Sequence, residues 1–115
     1  MVLIGLFLLP FIQYSRPPWP HIESPEALVQ DCHDLMYNSK TGPLPESSWP
    51  ESIRKLKPKQ VFVDQGDYVE IIISTGGIST RASYIIFANQ NTAGKFSMPE
   101  VALHKTAYPA VFKLY

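Results

Sequence analysis

Val61 to Phe87 reads VFVDQGDYVEIIISTGGISTRASYIIF. Three apolar runs rich in Val, Ile, Phe and Tyr are separated by Gln65-Gly66-Asp67 and Thr75-Gly76-Gly77, the residue types that turns require. This is the pattern of an antiparallel meander. Strands are expected over 60–64, 68–74 and 81–88. Ile71-Ile72-Ile73 is apolar on both faces, which suits a central strand covered at least in part on both sides. Gly76-Gly77 accepts the positive φ of a type I′ hairpin. In the third strand Tyr84 and Ile86 share one face, and Ile85 and Phe87 the other.

Upstream, Ser24-Pro25-Glu26 carries the start signals of a helix: an N-cap hydroxyl, proline in the first turn and an acid near the positive end of the dipole. Leu28, Cys32, Leu35 and Met36 recur at i, i+4, i+7 and i+8 and form one apolar stripe for the sheet. Gln30, Asp31, His33 and Asp34 lie off it. The helix fades over 37–40 and stops at Thr41-Gly42-Pro43. Ser48 to Glu51 has capping-box spacing and opens a shorter helix that must dock through Trp49, Ile53 and Leu56. Downstream, Asn89 to Gly94 reads as a polar loop, and Lys95 to Pro109 declares no element. Ala110 to Tyr115 alternates and is expected to close the sheet.

The expected fold is therefore α+β: an amphipathic helix and a short helix packed on an antiparallel meander of about four strands. An apolar segment precedes it. Residues 1–12, MVLIGLFLLPFI, carry no charge. As a helix they rise roughly 18 Å, short of the roughly 30 Å hydrocarbon core of a bilayer. No basic residue opens the run and no small-residue cleavage site closes it, as a secretory signal requires. Three readings follow: a signal anchor, an atypical signal peptide, or the first element of a soluble core. The anchor is the expectation, with residues 1–14 contacting membrane lipid. Under the third reading the chain is cytoplasmic. Residues 15–23, with Pro17, Pro18 and Pro20, form the spacer, and 24–115 the single domain. The chain's 115 residues allow one domain.

The run Trp49-Pro50-x-x-Ile53-x-x-Leu56-x-Pro58-x-x-Val61, with Asp31-Cys32 and Leu35 upstream and Gly76-Gly77 downstream, resembles a pattern in small uncharacterised bacterial proteins with an N-terminal membrane segment. The resemblance implies a bacterial envelope setting and brings no activity, cofactor or site residue.

Ten basic and ten acidic residues cancel. That disfavours a general nucleic-acid binder, which needs a basic face to displace counterions. Cys32 is the only cysteine, so there is no internal disulfide and no multi-thiolate zinc site. Cys32-His33-Asp34 invites a nucleophile and base, but successive helical residues point about 100° apart. A base for Cys32 has to come from His21 or His104. The three histidines lack ligand spacing such as HxH or HExxH. Arg54, Lys55, Lys57 and Lys59 form a small basic cluster, read as a solvated helix end rather than a polyanion site. Asp64, Asp67 and Glu70 gather near the first hairpin, where turn chemistry accounts for them. No catalytic, cofactor-binding or metal-binding residue is assigned. The expectation is a membrane-tethered, non-enzymatic binding or structural module of the cell envelope, with a protein partner met by Trp19, Trp49, Tyr68, Tyr84 or a sheet edge. The alternative is a small soluble enzyme or ligand-binding domain with a pocket near Cys32, between helix and sheet.

Overall fold

The computed structural model describes residues 19–74, 82–96 and 102–115. The fold is α+β. Helix α1 spans Pro25–Asn38, with Ser24 at its N-cap accepting from the Ala27 amide at 3.4 Å and Pro25 in the first turn. Strand β1 is Gly42–Pro43, a 3₁₀ turn covers Glu46–Ser48, and α2 is Glu51–Arg54. Strands β2 (Gln60–Asp64), β3 (Tyr68–Ser74) and β4 (Ala82–Phe87) follow. Helix α3 spans Gln90–Lys95, and β5 (Leu103–Lys105) and β6 (Val111–Leu114) complete the chain.

The strands form one six-stranded sheet in the order β1-β2-β3-β4-β6-β5, with every neighbouring pair antiparallel. The meander of β2 to β4 is as expected, with β3 inside it. Two short strands raise the expected count of about four to six. Gly42-Pro43 has little strand propensity, and three residues at 103–105 are too few to show a period. The last strand does not simply follow β5. It inserts between β4 and β5, because Val111 and Leu114 are buried while β5 takes the edge.

Register sorts the side chains onto two faces. Val61 pairs with Ile71, Ile71 with Tyr84, Val69 with Ile86, and Ile86 with Val111. This face receives Leu28, Cys32 and Met36 of α1 and Ile53 and Leu56 from the second helical segment. Leu35, expected in the same stripe, is only partly buried. The other face carries Tyr68, Ile85, Phe87, Phe112 and Leu114, with Ala93 and Phe96 of the α3 segment laid on it. Both faces are thus covered at least in part, as the triple Ile required.

Three local expectations are corrected. The Ser48 capping box does not form: Ser48 ends the 3₁₀ turn, and α2 starts after Pro50 without a side-chain cap. Asn89 to Gly94 is not a loop. Asn89 Oδ1 accepts from the Thr92 amide at 2.9 Å and starts α3. The end of the expected spacer belongs to the fold: Ile22 is buried, Trp19 packs on the core, and the Pro20 carbonyl accepts from the Tyr84 hydroxyl at 2.8 Å. The apolar run of residues 1–14, the 75–77 hairpin and Arg81 lie outside the described residues. Among those that are described, no helix is long and apolar enough to cross a membrane.

At one end of the sheet, Gly66 takes φ 81° in the β2–β3 turn, a value that L side chains rarely adopt. Its amide donates to the Met36 carbonyl at 3.0 Å, which ties the turn to the last turns of α1. The Ala88 amide donates to the Asp67 carbonyl at 2.7 Å and fixes the exit of β4 at the same end.

Candidate ligand groove

Helix α3 and the β5–β6 connection stand beside each other at that end. The connection is cross-linked by its own hydrogen bonds. Thr106 Oγ1 lies 2.6 Å from the Val111 carbonyl and 3.0 Å from the Tyr108 carbonyl, and it accepts from the Tyr108 amide at 3.1 Å. The Val111 amide donates back to the Tyr108 carbonyl at 3.1 Å. The opposite wall is held by aromatic rings. Phe96, just after α3, meets Phe87 at 5.3 Å and Tyr68 at 5.5 Å, and Phe87 meets Phe112 at 5.5 Å, all edge to face. Such pairs add to simple burial. They seat a helix of six residues that is too short to persist unaided.

Between these walls lies a cavity of about 560 Å³, lined by Ala93, Leu103, Tyr108 and Phe112, with Gln90 and Lys105 at its polar points. A second cavity of about 160 Å³ shares Gln90, Ala93, Pro109 and Phe112 with the first and adjoins it, and the two are taken together as the groove. His33 of α1 lines the smaller cavity. Its Nε2 is buried and has no hydrogen-bond partner among the described residues. Buried polar atoms are seldom left so. Among the described residues, Lys105 is the only Lys, Arg, Asp or Glu lining either cavity.

The residues singled out from sequence are distributed elsewhere. Cys32 is fully buried on the α1 stripe. Burial, then the neighbouring Asp31 carboxylate, pushes its thiol far above the ordinary thiol range. A nucleophile needs the opposite shift. Asp31 accepts from Ser52 Oγ at 2.6 Å and pins α2 to α1, and Asp34 accepts from Gln30. The histidines are apart: His21 lines a small cleft between α1 and α2, His33 lies at the groove, and His104 stacks on Tyr115 at 3.9 Å. Among the described residues, no three His, Cys, Asp or Glu side chains are placed to hold a metal ion.

The basic cluster is partly employed. Arg54 donates to the carbonyls of Trp49, Glu46 and Ser47, and Lys55 pairs with Glu23 at 3.2 Å on the surface. The three carboxylates near the first hairpin separate: Asp67 is exposed at the turn, whereas Glu70 is buried and accepts from Ser83 Oγ at 2.8 Å. The expected docking aromatics serve packing in large part. Trp49 Nε1 donates to the Leu44 carbonyl, Tyr84 is buried, and Trp19 lies 5.1 Å from Tyr84 with Lys113 over its ring.

Sequence reasoning did not find the groove, since its walls come from the stretch read as loop and the stretch left unread. The Asn89-x-x-Thr92 cap and the Phe96 that follows were the available signals. Comparison of the chain with protein families, with curated proteins and with solved structures finds no match.

Proposed function

We propose that the chain is a binding module that takes a small, largely apolar molecule in the groove between α3 and the β5–β6 connection. In this reading residues 1–14 hold it at a membrane, in an envelope setting. The observation that carries the binding role is the groove itself. Its larger cavity, about 560 Å³, falls in the size range of small-molecule sites. Its lining is mainly apolar and aromatic with a few placed polar groups, the composition such sites share. The walls are pinned by the Thr106 hydrogen bonds and the Phe87–Phe96 contact, so little ordering is needed on binding. The sealed Cys32 favours this role over an enzyme built on that thiol. The tether is supported by the uncharged run of residues 1–12 and the prolines that follow.

The test is a titration of the ¹⁵N-labelled full chain in lipid nanodiscs with a panel of water-soluble aryl compounds, both neutral and charged. Saturable shifts at the amides of Ala93, Leu103 and Phe112 are expected, and they vanish in Ala93→Trp, which fills the cavity. If no compound gives saturable shifts there, or Ala93→Trp binds as the native chain does, the groove is not the site.

A further inference from the structure

Building on the binding role above, we infer that the groove is selective for a small monoanion with an apolar body, whose carboxylate accepts a hydrogen bond from His33. Three observations carry this. First, His33 Nε2 is buried beside the smaller cavity with no partner among the described residues. A buried ring nitrogen without a partner forfeits its hydration and regains nothing, so a ligand atom that meets it recovers that loss. In the Nε2–H tautomer this nitrogen is a donor, and a carboxylate is its strongest acceptor. Secondly, among the described residues charge along the groove has one sign: Lys105 is positive and no described Asp or Glu lines either cavity. An anion gains from that field and a cation is opposed by it. Thirdly, the two cavities differ in size, about 160 Å³ against about 560 Å³. The narrow one, beside His33 and Gln90, has room for a head group alone, and Lys105 lines the wide one that adjoins it. The wide one, over Leu103, Tyr108 and Phe112, suits an apolar body.

The probes are 4-phenylbutyrate and its neutral counterpart 4-phenylbutanol, titrated into the ¹⁵N-labelled full chain in zwitterionic nanodiscs. The imidazole nitrogens of His33 are followed together with the Ala93 and Phe112 amides. The carboxylate is expected to bind at least about tenfold more tightly than the alcohol, with a saturable shift at His33 Nε2. His33→Ala should abolish that preference, the carboxylate losing more affinity than the alcohol. If His33→Ala fails to fold, Lys105→Glu, at an exposed side chain, serves instead: it lowers the affinity for the carboxylate only. Equal affinities for the two probes overturn the anion assignment and leave the binding groove standing. Binding of the carboxylate with His33 Nε2 unmoved means that an ordered water alone satisfies that nitrogen, and the inference fails. Absence of binding by either probe removes both readings together.

Discussion

Glu70 and Ser83 face each other's strands near the middle of the sheet, on the face away from α1, and both are buried. Ser83 Oγ donates to Glu70 Oε2 at 2.8 Å. Ser83→Ala takes that donor from a carboxyl that water does not reach, and the expected cost is about 1–3 kcal/mol of stability, read from the urea midpoint. Cys32 acts at high pH. Its folded value lies above its unfolded one, so its contribution is complete below about pH 8.5 and is lost as pH rises, when the unfolded thiol ionises and the buried one does not. Each further pH unit should remove up to about 1.4 kcal/mol. Tyr84, raised by burial and then by Tyr108, adds a loss of the same sign above about pH 10. The stability difference between pH 7.5 and 10.5 should therefore shrink in Cys32→Ala, and an unchanged difference would show that the thiol is not the group responsible. The place of Cys32 was legible, because a residue at i+4 from Leu28 on an amphipathic helix has one face to occupy. That of Glu70 was not. Alternation puts Glu70 with Tyr68 and Ile72, but only the register with β4, which pairs Glu70 with Ile85 and Ile72 with Ser83, reveals the serine diagonal to it.

Legibility changes with element length. β2 and β3 fall where alternation and turn residues put them, and β4 ends one residue earlier than expected, its expected first residue lying outside the described residues. β2 buries alternate side chains, and β3 and β4 are apolar runs buried on both faces between turn residues, each long enough at five residues or more to be read as a strand. The elements that escaped are β1 with two residues, β5 with three and α3 with six. Each is held by tertiary partners rather than by its own composition, and α3 forms because Asn89 caps it and Phe96 anchors it. That dependence is measurable. Asn89→Ala removes the acceptor for the Thr92 amide and is expected to cost about 1 kcal/mol. Hydrogen exchange should quicken across Gln90–Lys95 while the amides of β2, β3 and β4 keep their protection. Uniform loss of protection would mean that α3 is part of the cooperative core and not a wall leaning on it. The groove depends on this wall, so the same variant should weaken ligand binding without unfolding the sheet.

At the scale of the whole molecule the question is where the folded unit begins. The sequence draws that line after residue 23, at the end of the prolines. The packing draws it earlier, since Ile22 is buried and Trp19 lies between Tyr84, Tyr115 and Lys113. Composition shows prolines as spacer and cannot show that two apolar residues among them meet a sheet 60 positions away. A chain starting at Ser24 should therefore lose the burial of Ile22, about 1.5–3 kcal/mol, together with the Trp19 ring contacts. A chain starting at Trp19 should keep both. If residues 1–14 are an anchor, the full chain sediments with membranes, while the Trp19 chain stays in the supernatant with a melting midpoint above that of the Ser24 chain. If instead the full chain is also soluble and the Trp19 chain melts well below it, the apolar run is core. The tether is then discarded, the ligand groove remains to be judged on its own binding data, and a buried N-terminal segment joins the fold.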